Sequence, residues 1–193
     1  MIITSEMMKN QLSDYSNKSN KISREMAKGK LIQIKKGLYE TNPNVPGFLL
    51  ASEIYGPSYL SFDYALSYYG MIPEKVETYT CATFEKKKKK QFDTCFGTYT
   101  YRDVPESVYR IGIKRVKEEG YEYQIATPEK ALCDKLYTLK PIKSMNTFTK
   151  LLLEDLHVNE KVLSQLNLKH LKKICNAYHA TNVSMLYKFL TKS

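Results

Sequence analysis

Between Asn17 and Lys28 the chain places amides and cations at the spacing of one helix face. If Ile22 and Met26 mark the buried stripe, a step of about 100° per residue gathers Asn17, Asn20, Lys21, Arg24 and Lys28 on the opposite side. Such a face suits duplex DNA, whose major groove admits one helix and is read by Arg, Asn and Lys donors. Arg24 can fork onto a guanine edge and Asn17 and Asn20 match adenine, while Lys21, Lys28 and Lys30 are placed for phosphates. Lys35 and Lys36 follow in a Lys-Lys-Gly turn, positioned for the neighbouring backbone or the minor groove. An inert solvated helix has the same composition, so this face alone is compatible with both readings.

A second cationic feature is the run Lys86, Lys87, Lys88, Lys89 and Lys90. At the tip of a hairpin it offers phosphate contacts that release counterions, or it is a turn that protects a sheet edge. Enzyme chemistry finds little support. The chain has no G-x-x-x-x-G-K-[ST], G-x-G-x-x-G or G-x-S-x-G pattern, so phosphate loops, dinucleotide sites and the hydrolase elbow are not expected. Gly56-Pro57-Ser58 followed by Asp63 faintly resembles a nucleotidyltransferase signature, but the second carboxylate that would hold the metals is missing. Glu129 and Asp134 stand about 140° apart on one helix and do not converge on a ligand, so both read as structural. Cys81, Cys95, Cys133 and Cys175 form no C-x-x-C pair and read as reduced, semi-buried thiols. His157, His170 and His179 form no ligand motif, so neither a metal nor a cofactor is expected.

These residues need elements to hold them. The first forty positions predict a helix, a turn, the Asn17–Lys28 helix and a short two-stranded wing over Leu31–Tyr39. Residues 41–56, with Pro43, Pro46 and Gly47, predict a linker leading into a short helix near Leu49–Ile54. A further helix is expected after Ser58, capped by Ser61 and stopped at Gly70. Val76–Thr83, Phe92–Tyr101, Tyr109–Ile113 and Tyr121–Ile125 alternate Tyr, Thr and aliphatic residues and predict a four-stranded antiparallel meander. Thr127-Pro128-Glu129 supplies an N-cap, a proline at the first helical position and an early acid, opening a helix to about Leu139. Helical patches over Phe148–Leu156, Glu160–Leu166, Leu168–Tyr178 and Val183–Leu190 complete a small helical end-piece. The expected class is α+β, with a winged helix-turn-helix over residues 1–40 and a mixed domain over 41–193.

Composition fits that division. The 193 residues, 42% hydrophobic, are enough to bury a core, and 30 basic against 20 acidic residues leave a net charge of +10. A polyanion partner is favoured, and the absence of a spanning apolar run or a leader pattern favours nucleic acid over membrane, in the cytoplasm. The charge is concentrated at the ends: residues 1–40 carry eight basic and four acidic side chains, and residues 41–143 carry fifteen and thirteen.

The ordered set Lys30-Leu31-Ile32-Gln33-Ile34-Lys35-Lys36-Gly37-Leu38-Tyr39, Gly56-Pro57-Ser58-Tyr59-Leu60-Ser61 and Ala65-Leu66-Ser67-Tyr68-Tyr69-Gly70-Met71-Ile72-Pro73 closely resembles the AbiEi family of antitoxins. Ile125-Ala126-Thr127-Pro128-Glu129-Lys130-Ala131-Leu132-Cys133-Asp134 is similar to the helix-opening motif of that family, and Leu152–Leu156 with Leu166–Ile174 to its C-terminal helices. The resemblance implies a winged helix-turn-helix ahead of an antitoxin domain in a bacterial type IV toxin-antitoxin or abortive-infection module. It implies a non-enzymatic protein that represses its own operon on double-stranded DNA. It also implies that the chain opposes a nucleotidyltransferase-like toxin without a stable complex. On it, the recognition helix falls on Asn17–Lys28 and the wing on Leu31–Tyr39, though the N-terminal segment is shorter than the usual helix trio. Two other classes fit the residues: a winged-helix regulator with no toxin partner, and an enzyme or RNA-modifying protein whose site has no familiar motif.

Overall fold

The computed structural model describes residues 1–11, 17–118 and 120–192. Strand β1 (Ile2–Thr4) leads into helix α1 (Ser5–Gln11), and the turn expected next falls at residues 12–16, outside the described residues. Helix α2 (Lys18–Ala27) starts where Asn17 caps it, its side-chain oxygen accepting the Asn20 N–H at 3.1 Å. Strands β2 (Ile32–Lys35) and β3 (Leu38–Glu40) form the expected hairpin. Gly37 turns it at φ +84°, and a Cβ there would stand 2.9 Å from Ser5 Oγ, so the position needs glycine on both counts. β1, which the sequence pattern did not reveal, adds to β3 and completes a three-stranded antiparallel sheet in the order β1-β3-β2.

This small sheet is buried on both faces. Ile3, Leu31 and Tyr39 join Met8 in a minor core against which Ile22 and Met26 of α2 pack. Ile34 and Leu38 belong instead to the large core of the rest of the chain. The helix stripe therefore faces inward, as its 3.6-residue period requires.

The short helix expected near Leu49–Ile54 is present, but the segment 41–56 is more than a linker, because Val45, Leu49, Leu50, Ala51 and Ile54 join the large core. A 3₁₀ turn (Gly47–Leu50) and helix α3 (Ala51–Ile54) bury Leu49, Leu50, Ala51 and Ile54. The buried Tyr99 donates its hydroxyl to the Gly47 carbonyl at 2.8 Å, and Tyr101 to that of Ala51 at 2.7 Å. A Cβ on Gly47 would lie 2.3 Å from the Phe96 carbonyl, so its glycine serves close packing rather than flexibility.

The expected antiparallel meander is also corrected. Strands β4 (Tyr59–Leu60), β5 (Tyr79–Thr83), β6 (Lys90–Thr94), β7 (Gly97–Asp103), β8 (Ile113–Glu118) and β9 (Tyr121–Ala126) form a mixed six-stranded sheet in the order β6-β7-β5-β4-β9-β8. β5 runs parallel to β7, and β4 parallel to β9. Alternation marks a residue run as strand without naming its partner, and the two-residue β4 at the sheet centre is too short to show a period. Tyr109, placed in a strand by its sequence, ends the short helix α5 (Glu106–Tyr109) instead.

Helix α4 (Phe62–Tyr68) ends at Gly70, which adopts φ +64°. Ser61 holds the N-cap position with the extended backbone usual there, but its hydroxyl makes no cap bond and donates to Asp134 instead. Helix α6 (Pro128–Tyr137) opens as expected, with Thr127 accepting the Lys130 N–H. Helix α7 (Met145–Lys150), a π turn (Leu151–Asp155), and helices α8 (Glu160–Leu163), α9 (Leu168–Tyr178) and α10 (Thr181–Lys192) follow. Their Leu152, Leu171, Ile174, Val183 and Leu186 are fully buried, so this helical end supplies part of the main core. The class is α+β.

Candidate nucleic-acid interface

With Ile22 and Met26 turned inward, Asn20, Arg24 and Lys28 stand exposed on the far side of α2, followed by exposed Lys30. Asn17 is exposed as well, but its side-chain oxygen is occupied by the helix cap. Lys21 is half-buried and pairs with Glu25 at 3.1 Å. The hydrogen bond from Lys21, with the nearby charges of Lys21, Lys28 and Lys30, holds the Glu25 carboxyl below the usual range. Arg24 makes no ion pair among the described residues. It also lies in the last turn, where a cation favours the helix dipole, so its charge has a local use besides any ligand.

The hairpin and the second lysine run meet on the surface. Lys35 donates to the Ile54 carbonyl and lies over the Phe92 ring at 5.6 Å. Lys86 donates to the Gly56 carbonyl at 3.1 Å and lies over the Tyr55 ring at 5.2 Å, and those two rings are 5.8 Å apart. Two lysines from distant positions thus clamp one aromatic pair. Both ammonium groups are held by carbonyls, whereas Lys36, Lys87, Lys88, Lys89 and Lys90 are exposed. The run is not a hairpin tip. Lys86–Lys89 lie in a connection from β5 that crosses to the edge strand β6, and Lys90 begins that strand; β6 pairs with β7, not with β5. The backbone N–H of Lys87 donates to Asp103 at 2.7 Å, which fixes the connection.

A dense polar cluster in the interior, among the described residues, was not legible in the sequence. Asp134 accepts hydrogen bonds from Tyr59 at 2.9 Å, Ser61 at 2.5 Å and Lys130 at 2.5 Å, and from the Tyr178 hydroxyl. Burial, followed by the charge of Asp134, pushes both phenols well above their ordinary value. Lys130 and Asp134 are fully buried, so no substrate reaches them, and the cluster ties β4 and α4 to α6 and α9. The spacing of four residues on a helix was the available signal for the ion pair, but nothing local pointed to Tyr59, Ser61 or Tyr178. Asp63, on the first turn of α4, pairs with Lys135 at 2.6 Å. The four cysteines are unpaired, three of them buried and Cys95 exposed. Among the described residues no group of three or more His, Cys, Asp and Glu side chains is arranged to hold a metal ion.

No family model matches the chain, and no curated protein matches it. Among solved structures it is similar to the crystal structure of the RV2827C protein from Mycobacterium tuberculosis. The TM-score is 0.59 at 12% identity, over 100% of this chain and 71% of that one. At that identity the likeness concerns the fold: an α+β arrangement that takes in the N-terminal module and the body together. No helix among the described residues is long and apolar enough to cross a membrane.

Proposed function

We propose that residues 1–40 are a winged helix-turn-helix that binds double-stranded DNA, and that the chain is a cytoplasmic, non-enzymatic antitoxin of the AbiEi kind. The observation that carries the reading is the pairing of α2 with the hairpin that follows it. α2 packs its apolar stripe on the small sheet and leaves Asn20, Arg24 and Lys28 outward, and exposed Lys36 stands at the turn of a hairpin formed by that same sheet. A helix for the major groove and a cationic wing for the adjacent backbone are the two parts such a module needs. The body then opposes a nucleotidyltransferase-like toxin without a stable complex, as the family resemblance implies, while the module represses the operon through its operator.

A gel shift with the DNA upstream of the gene tests the first half. With about four phosphates neutralised, affinity falls about 10²-fold between about 50 and 200 mM salt. Absence of binding at low salt, or indifference to salt over that range, rejects the reading. Co-expression with the product of an adjacent nucleotidyltransferase gene tests the second half. Failure to restore growth while operator binding persists leaves a winged-helix regulator with no toxin partner.

A further inference from the structure

The six-stranded sheet carries a cleft that the DNA reading does not use. The register of β5, β7 and β6 aligns Thr80, Thr100 and Gln91 across one face, with Arg102 two residues further along β7. Beside this face stand Phe62 and Asp63 of α4 and Lys135 of α6, and the walls enclose about 430 Å³, which Lys89 and Lys90 complete at the edge strand. That volume lies in the range of about 300–1,000 Å³ typical of small-ligand sites.

The charges around the cleft do not balance. Asp63 is paired with Lys135 at 2.6 Å; Asp93, which accepts from Gln91 at 3.1 Å and Thr98 at 2.9 Å, and Asp103, which accepts from Thr83 at 2.6 Å and the Lys87 N–H, keep their charge but lie outside the cleft lining. Arg102 has only the Phe62 ring, 6.0 Å from its guanidinium, and neither Lys89 nor Lys90 has an anionic partner among the described residues. Arg102 and Lys89 thus bring two uncompensated cations to one concavity, focusing positive potential into it, while Lys90, opposite Tyr101 in the register, belongs to the other face of the sheet. The floor adds neutral polar groups. The Thr80 hydroxyl is engaged with the Ser61 carbonyl, but the Thr100 hydroxyl makes no hydrogen bond among the described residues.

We infer that this cleft binds a small molecule carrying a di- or triphosphate, with its phosphates held by Arg102, Lys89 and the Thr100 hydroxyl. A planar guanidinium suits two phosphate oxygens at once, and the lysine acts as a point charge on the remainder. Two cations on separate segments, with the Thr100 hydroxyl beside them, suit more than one phosphate group, and no exposed aromatic platform lines the cleft of the kind on which a single strand stacks its bases. The chemistry is shared by inorganic pyrophosphate and by nucleoside triphosphates.

Isothermal titration of the full chain with inorganic pyrophosphate, ATP and GTP, and with a single-stranded oligonucleotide, tests this. Saturable binding of pyrophosphate is expected, weakened about tenfold or more by Arg102→Gln and also by Lys89→Ala. Lys172→Ala with Lys173→Ala, exposed on α9, leaves it unchanged. Equal affinity for pyrophosphate and the nucleotides assigns the whole contact to phosphate, and a preference of tenfold or more for a nucleotide places its nucleoside in the cleft. The Lys89 variant alters an exposed side chain only, so it remains readable should Arg102→Gln disturb folding. Absence of binding at millimolar pyrophosphate and nucleotide overturns the inference. So does affinity indifferent to both cleft variants, loss that the α9 variant reproduces, or binding of the oligonucleotide alone.

Discussion

Arg24 and Lys35 carry the same charge and end in opposite surroundings. The guanidinium is exposed and unpaired among the described residues, while the ammonium donates to the Ile54 carbonyl and lies over the Phe92 ring. Arg24→Ala is therefore expected to relax base discrimination by about 1–3 kcal/mol at one position, read from competition gel shifts with single-base operator variants. Equal losses on operator and random duplex would move Arg24 to phosphate contact. Lys36→Ala weakens every duplex alike. Lys35→Ala lowers stability by about 1–2 kcal/mol in addition to any DNA effect, seen as a thermal midpoint a few degrees lower. Glu129 supplies a pH dependence. Burial by itself would raise its carboxyl, but the Asn167 N–H at 2.9 Å, its own N–H, Thr127 and the nearby His170 together bring it below the ordinary 4.5. The folded state thus takes up this proton at lower pH than the unfolded chain. The stabilisation is complete above about pH 4.5 and is lost as pH falls through the lower folded value. Glu129→Gln is expected to cost stability at pH 7 and progressively less as pH falls below 4.5, measured by urea titration along that series; a pH-independent cost would contradict the linkage.

At the scale of elements, α6 does most to join the layers. Its start was legible because Thr127, Pro128 and Glu129 act within the first turn: the threonine caps, the proline needs no N–H partner, and the acid meets the positive end of the dipole. Its interior use was not legible, since the partners of Asp134 come from β4, from the start of α4 and from α9. Removing Asp134 leaves Lys130 charged in a fully enclosed site. Asp134→Ala is expected to destabilise by about 3–5 kcal/mol. Combining it with Lys130→Met should cost less than the sum of the single changes, because the second change removes the stranded charge. Strictly additive urea midpoints would show that the pair does not interact. The helix α2 lies at the other extreme. Its inward stripe and its polar face are set by neighbours within four residues and were readable from the residues alone, whereas Asn17, expected to face adenine, turned out to cap the helix.

At the scale of the molecule, the N-terminal sheet is wedged between α2 and the body, with Tyr39 facing one core and Leu38 the other. A chain begun near Asn42 loses Ile34 and Leu38 from the large core, each worth about 1.5–3 kcal/mol if fully uncovered. That truncation is expected to melt earlier than the full chain, so it tests stability before it tests function. Full-length protein with Lys21→Ala and Arg24→Ala keeps the small sheet and both cores, at the loss of the Lys21–Glu25 pair, and separates the two tasks more cleanly. Toxin protection by this variant, with operator binding lost, is the expected outcome of co-expression. Loss of both would mean that protection acts only through the operator.

Residue types and spacing by themselves determined the helices with caps, prolines or a clear apolar period, the hairpin around Gly37, the cationic face of α2 and the α+β class. Each rests on interactions between residues a few positions apart, which a linear pattern encodes. Tertiary structure alone decided the parallel pairings of β5 with β7 and β4 with β9, the burial of Val45, Leu49, Leu50, Ala51 and Ile54, the clamp of Lys35 and Lys86 on Phe92 and Tyr55, and the cleft under Arg102. It also decided the buried cluster, in which Tyr59 reaches across 75 positions to Asp134. Alternation states that a residue has two faces, and a charge states that it needs a counterpart. Which partner fills either need depends on which distant segments the packed core brings together.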